Sequence, residues 1–372
     1  MIRVTSRRVT RTDYWLLLVV LALVVIGLVM VYSASYHFPL VNEDYEEQPP
    51  YYFLRRQIIF ALLGMGAMAL LSWVDYRLYR RFAVLILVAT LVVLMAMAFL
   101  GRWLLRSQRS VQPAELAKLG AVTYMSVWLA SKGEGIRYLT LGLMPFALLL
   151  AFFAVLVVLQ PDFSTAALLV ATGSAMLLVA GVEVRQWLVY LLFICAVLMP
   201  VAVAAPYVLV RIRSWLGSPF RASVGRGFQL VQSLSALQKG GWVGVGLGQS
   251  EQKLALYAPH SDCIFAVIAE EFGFLGAGFV IVLYGLWTWR GLRIAWYAQD
   301  AYGTLLAAGI VSWVTFQAAL HIGALTDATP LTGTVLPFVS AGGSSLTTSL
   351  ASVGILLSVA RGSQAEEGTR DA

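Results

Sequence analysis

Charge, cysteine and histidine are all scarce in this chain. Of its 372 residues only 12% are Asp, Glu, Lys or Arg, there are two cysteines and three histidines, and 60% are hydrophobic. So little charge excludes an ordinary soluble domain, whose surface needs about twice that share. Cys195 and Cys263 fall in or beside apolar runs, so they form no disulfide framework, and no spacing of His, Cys, Asp or Glu suggests a metal site. The net charge of +7 suits a protein seated among anionic lipids and gives no argument for nucleic acid.

What the chain has in quantity is apolar runs. Stretches of about 18 to 25 residues can cross a hydrocarbon layer roughly 30 Å thick. The sequence predicts an all-α polytopic membrane protein in one domain, with about ten transmembrane helices. They are drawn near Tyr14–Ser33, Ile58–Val74, Phe82–Leu100, Gln112–Ser131, Leu143–Leu159, Phe163–Gly181, Trp187–Leu209, Asp262–Trp287, Thr304–Leu325 and Ser340–Ala360. The basic start, residues 1–13, precedes an apolar run too long for a signal-peptide core and without a small-residue cleavage site, so it reads as a retained first span. Arg3, Arg7, Arg8 and Arg11 place that end in the cytoplasm, and an even span count returns the tail, 361–372, to the same side. Arg77, Arg80, Arg81, Lys132, Arg137, Arg185, Arg290 and Arg293 fit the same orientation.

One long polar interval interrupts this pattern between the seventh and eighth spans. Residues 210–261 form a large extracytoplasmic loop with Arg211, Arg213, Arg221, Arg226, Lys239 and Lys253. Within it, Leu230, Leu234 and Leu237 repeat at helical spacing and predict a short amphipathic helix at the membrane interface. Gly240, Gly241, Gly244, Gly246 and Gly248 follow, a run that lets backbone turn sharply or a ligand come close. The fragment GVGLG lacks the strand-turn-helix context of a nucleotide fingerprint. The loop ends by delivering Asp262 to the mouth of the eighth span. Basic residues on the outer side, these and Arg102, Arg106 and Arg109 of the second outer loop, run against topological bias; binding a diphosphate or anionic headgroups explains them equally well.

Charges at membrane depth are costly and therefore candidates for function. Glu115 and Lys118 are three residues apart, on one helix face, reading either as a self-neutralised pair or as a cavity floor that meets substrate. Asp162 follows Pro161 at the head of a span, where a helix cap competes with catalysis. Glu270 and Glu271 lie about two turns along from Asp262 and read as interior polar contacts. Asp327 closes the ninth span, with His321 deeper. Pro330, Pro337, Gly342 and Gly343 rule out a continuous helix over Thr329–Leu346, and Ser344 and Ser345 open the last span with backbone N–H groups suited to an anion.

These motifs together resemble the SEDS family (shape, elongation, division and sporulation), typified by RodA and FtsW. The resemblance rests on Arg102–Trp103, QPAELAK at Gln112–Lys118, QPDFSTA at Gln160–Ala166, GFQ…S at Gly227–Ser233, GGWVGVGLGQSEQK at Gly240–Lys253, HSDCIFAVIAEEFGFLG at His260–Gly276 and PLTGTVLPFVSAGGSS at Pro330–Ser345. It covers nearly the whole chain. It implies a multi-pass protein of the bacterial cytoplasmic membrane that polymerises lipid II into glycan strands and works with a class B penicillin-binding protein. The family's essential aspartate aligns with Asp262, the expected general base toward the acceptor hydroxyl. The substrate contacts expected beside it are Arg102, Trp103, Arg109, Glu115, Lys118, Arg211, Arg213, Arg221, Gln232, Lys239, Lys253, His260, Ser344 and Ser345. Asp162, Glu270, Glu271 and Asp327 are divided between structure and function. No cofactor is expected beyond a divalent cation (Mg2+ or Mn2+) carried on the substrate diphosphate. The chain departs from the family at Tyr257 and Ala258, where Pro-Glu is usual, at Cys263 for Phe, at Arg106–Ser107 for Leu-Gly, and at His321 and Asp327 for Asn and Gly. The competing readings are a carrier of lipid-linked precursor and a scaffold without catalysis.

Overall fold

The computed structural model describes residues 13–37, 48–104, 113–160, 162–216 and 226–365, and all regular structure in them is helical. In order the helices are α1 (Tyr14–Ser35), α2 (Tyr52–Trp73), α3 (Arg77–Arg81), α4 (Ala83–Leu104), α5 (Pro113–Lys132), α6 (Met144–Val158) and α7 (Phe163–Val179). They continue as α8 (Val184–Ala204), α9 (Pro206–Leu216), α10 (Arg226–Gly240), α11 (Ile264–Trp296), α12 (Ala301–Leu325) and α13 (Gly343–Ala365). Among the described residues six of these, α1, α2, α8, α11, α12 and α13, are long and apolar enough to cross a membrane, and α6, α7 and the first part of α4 are shorter apolar helices. The chain is a polytopic helical membrane protein.

α12 is the central post. It packs against α5, α7, α11 and α13, and its large side chains Trp313, Leu306 and Ile310 are fully buried. α13 lies along α2, while α2 and α8 stay on the outside with most of their apolar residues unburied. An apolar outer surface is stable here because lipid tails replace the core on that side.

α1 and α11 are antiparallel, and polar ties mark both ends of the pair. At one end Asp13 caps α1, accepting from Leu16 N at 3.1 Å, and stands 3.9 Å from Arg290 of α11. At the other end the Ser33 hydroxyl donates to both carboxylate oxygens of Glu271, at 2.6 and 2.7 Å. The twenty residues between Asp13 and Ser33 rise about 30 Å at 1.5 Å each, the thickness of a hydrocarbon layer. Glu270 and Glu271, placed by the sequence within a span, therefore sit at its boundary.

The sequence reading draws the eighth span as one uninterrupted helix from Asp262. α11 instead breaks at Gly273, whose φ of 66° and ψ of −164° are not helical. Its first nine residues, Ile264–Phe272, form a short separate part, and Phe274–Trp296 makes the crossing. The break frees backbone groups, and the glycine-rich segment takes them up: Val245 and Gly246 donate to the carbonyls of Glu270 and Glu271 at 3.0 Å each, while Phe274 and Leu275 donate to those of Gly241 and Trp242 at 2.8 and 3.2 Å. A Cβ on Gly244 or Gly273 would run into the backbone of the other strand of this clasp. The glycines let the loop's backbone approach α11, and both residues also hold positive φ.

Candidate active site

Asp262 sits at the end of a tight turn. Ala258 has a φ of 53°, and its carbonyl accepts from Ser261 N and Asp262 N, each at 3.1 Å. Cys263 then caps the short first part of α11, so the carboxylate stands beside a helix N-terminus, where negative charge is favoured. The turn is tied from below. Ala341 N donates to the His260 carbonyl at 2.8 Å, the Ser340 hydroxyl to the Ser261 carbonyl at 2.7 Å, and Gln57 Nε2 to the Ser340 carbonyl at 3.0 Å. The broken segment before α13 thus serves as a pedestal for the turn.

Asp262 lines a cavity of about 370 Å³ together with Phe228, Gln229, Ala255, Tyr257, Leu331, Thr332 and Gly333. Its Oδ1 accepts from the Ser261 hydroxyl at 3.1 Å. Gly333 faces the carboxylate: a Cβ there would lie in ordinary contact, 3.9 Å from Asp262 Oδ2. Gln229 turns its amide toward Cys263, Nε2 to Sγ 2.9 Å, and burial with the neighbouring Asp262 charge pushes that thiol up to about 12. It is therefore a neutral, inert group. His260 packs on Phe53 with the rings tilted by 38° and their centroids 4.0 Å apart, and burial holds its imidazole down at about 4, so it is uncharged near neutral pH.

The expected substrate contacts divide. Arg211 on α9 reaches across to α7, its Nη1 donating to Ser164 Oγ at 3.3 Å, with the guanidinium 5.6 Å from the Tyr207 ring centre. Lys239 pairs with Glu251 at 2.7 Å on the exposed surface. Lys253 is buried, its ammonium 2.7 Å from the Gly248 carbonyl and 3.4 Å from Glu271. Glu270 accepts from the Ser250 hydroxyl and from Glu251 N at 3.2 Å and Gln252 N at 3.3 Å. These acids hold the loop to α11. Gln232 is half-buried on α10. Arg102 and Trp103 lie in the last turn of α4 and Arg213 on α9, while Arg109 and Arg221 lie outside the described residues.

Glu115 and Lys118 pair at 2.8 Å in the interior. Lys118 also donates to Gln317 Oε1 at 2.8 Å, as does Trp313 Nε1 at 2.9 Å, and Gln317 Nε2 donates to the Val335 carbonyl at 3.0 Å. One turn along α12, His321 Nδ1 is 2.7 Å from the Thr334 carbonyl. This buried network fixes the irregular segment that carries Thr332 and Gly333 into the cavity wall. Asp162 caps α7, accepting from Thr165 N at 3.0 Å. Asp327 ends α12 in the left-handed region, φ 63°, a conformation glycine adopts most easily and aspartate tolerates. Ser345 is buried at the start of α13, beside Gly343 and the Phe60 ring packed on it.

The sequence reading did not single out Phe228, Gln229, Tyr257, Thr332 or Gly333 as lining residues. α10 was expected to lie at the interface on its leucine stripe. Its buried positions are Leu230, Ser233, Ala236 and Gly240, which meet α11. The small residues at three of those four positions were the available signal for close helix packing rather than lipid contact.

Comparison with known proteins agrees with this arrangement. Residues 14–365 match the family described as cell cycle protein, FtsW, RodA and SpoVE. Stage V sporulation protein E of Bacillus subtilis is 38% identical over 95% of this chain and 98% of its own length. A probable peptidoglycan glycosyltransferase FtsW of Trichlorobacter lovleyi is 37% identical over 95% and 94%. Two solved structures superpose over most of the chain. One, from work on the structural coordination of polymerization and crosslinking by a peptidoglycan synthase complex, has a TM-score of 0.77 at 29% identity, covering 96% of this chain and all of that one. The other, the rod shape determining protein RodA of Thermus thermophilus, has a TM-score of 0.65 at 25% identity, covering 94% and 97%. The chain belongs to the FtsW, RodA and SpoVE family, the SEDS proteins.

Proposed function

We propose that this protein is a peptidoglycan glycosyltransferase that polymerises lipid II on the outer face of the cytoplasmic membrane. The observation that carries the reading is Asp262, held at the mouth of the bundle on the wall of a 370 Å³ cavity. Relatives named as peptidoglycan glycosyltransferases support the reaction class. Arg77, Arg290 and Arg361 gather at the opposite end, with Asp13 and Asp300, and the positive-inside rule makes that end cytoplasmic. Both termini then lie inside, and the Asp262 cavity opens outward.

In the reaction, the acceptor sugar's 4-hydroxyl attacks the anomeric carbon of the lipid-linked donor. The new O–C bond forms as the bond from that carbon to the diphosphate breaks, with inversion. Asp262 takes the hydroxyl proton, and undecaprenyl diphosphate leaves with the electron pair. The leaving group is already activated, so one carboxylate suffices, unlike the pair a glycosidase uses. Arg211, beside Ser164 at the same end, is the assigned diphosphate contact among the described cations, with Arg102, Arg109, Arg213 and Arg221 as further candidates. Lys253 is assigned to the fold. Lys118 acts at one remove, through Gln317 and the Val335 carbonyl, by fixing the cavity wall. A class B penicillin-binding protein is the proposed partner, on the strength of the related synthase complex.

The test is polymerisation of lipid II by purified protein with its crosslinking partner. The wild type makes glycan strands, and Asp262→Asn, folded to the same melting temperature, makes at least about a hundredfold less, the usual scale for a positioned base. Equal strand yield would remove Asp262 from the chemistry. No strands from either protein would favour the carrier or scaffold.

A further inference from the structure

The clasp at Gly273 has an outward side that the chemistry does not use. Trp242 and Val243 are 72% and 75% exposed, and Val245 and Leu247 are exposed beside them. From Gly240 to Ser250 there is no charged residue. The backbone here cannot fold these side chains inward, because Val245 N, Gly246 N and the carbonyls of Gly241 and Trp242 are all bonded to α11. An apolar tip on a rigid backbone needs an apolar neighbour.

Two further observations say what that neighbour is. The Trp242 ring meets Phe274 edge-on at 5.2 Å, and Phe274 opens the crossing part of α11. Phe274, Leu275, Phe279 and Val282 are exposed in turn, so the loop continues the membrane-facing surface of that helix. Glu271, which accepts the loop's Gly246 N–H, is also held by Ser33, about 30 Å along α1 from Asp13. The loop thus lies at the level where hydrocarbon gives way to headgroups, the depth tryptophan prefers. The exposed Lys239–Glu251 pair brackets it on the aqueous side.

We propose that Trp242–Leu247 is an interfacial anchor, inserted into the headgroup–acyl boundary of the leaflet at the Ser33 end. Its occupant is lipid. The anchor fixes the height of the cavity, because Ser250, Glu251 and Gln252 follow directly, bind Glu270, and lead into Ala255 and Tyr257 on the cavity wall.

The experiment is spin labelling of the full chain in phosphatidylethanolamine–phosphatidylglycerol liposomes, with Cys195→Ala and Cys263→Ala as background. Nitroxides are placed through Trp242→Cys, Val243→Cys and Leu247→Cys. Phe279→Cys is the lipid reference and Gln238→Cys the aqueous one. The expected result is collision with oxygen rather than a nickel chelate at all three loop positions, in a ratio close to that at 279. Val243→Cys touches no packed group, so it reports even where loss of the Trp242 ring loosens the clasp. Nickel accessibility matching position 238 overturns the proposal, as does exclusion of both reagents, which would mean that protein covers the loop. The readout is depth, so it stands apart from whether lipid II is polymerised.

Discussion

The Lys253 ammonium lies 2.7 Å from the Gly248 carbonyl and 3.4 Å from Glu271 Oε1, so one buried cation joins the glycine-rich loop to the helix it clasps. Lys253→Met leaves the Glu271 carboxylate, fully buried, with Ser33 as its one hydrogen-bonding side chain among the described residues. Breaking one side of such a pair costs about 3–5 kcal/mol. A large fall in melting temperature in detergent is expected, with lost activity following from unfolding. Lys253→Met combined with Glu271→Gln, which removes both charges, recovers part of that fall. A double variant no better than the single one would show that the pair is not coupled.

Gly244→Ala tests the clasp itself. The new methyl would collide with the backbone at Glu271 and Phe272, and alanine is strained at a φ of 84°. Hydrogen exchange should speed up at Val245, Gly246, Phe274 and Leu275, the four amides of the clasp, while α12 keeps its protection. Unchanged exchange at those amides would mean that the break at Gly273 does not depend on the loop.

Much of this was legible in the sequence, for reasons that are local. Spans such as α1 and α12 announce themselves because lipid requires long apolar helices. The cap reading of Asp162, one of the two the sequence left open, was available because its partner, Thr165 N, is three residues away. The break at Gly273 was not legible. Its segment, GFLGAG, continues an apolar pattern, and the groups that satisfy the freed backbone come from about thirty residues earlier. Lys253 looked like a phosphate contact for the same reason, since its acid is eighteen residues away and on another element. The cavity walls at Gln229 and Thr332 come together only through the packing of α10 on α11 and the pedestal below Asp262.

Gln317 is the hinge of the interior network, and Gln317→Leu separates its parts. The Val335 carbonyl loses its donor, and Lys118 keeps Glu115 and the Trp313 ring 5.4 Å away. A buried polar group left unpaired costs about 1–3 kcal/mol. If the network acts by fixing the cavity wall, polymerisation falls mainly through kcat, with KM for lipid II little changed, because the groups proposed to hold the diphosphate are elsewhere. A rise in KM alone would mean that this network meets the substrate directly.

His260 sets a pH limit on the same pedestal. Burial lowers its folded value to about 4, whereas an unfolded histidine titrates near 6.5. Between those values the unfolded chain binds the extra proton and the folded chain does not, so stability falls as pH drops through that window and levels off below it. The slope is at most about 1.4 kcal/mol per pH unit for one group. His260→Gln, neutral at every pH, should remove this component. Melting temperatures measured from pH 7 to 4.5 should therefore decline more steeply for the wild type than for the variant. Parallel declines would assign the acid sensitivity to the carboxylates and leave His260 out of it.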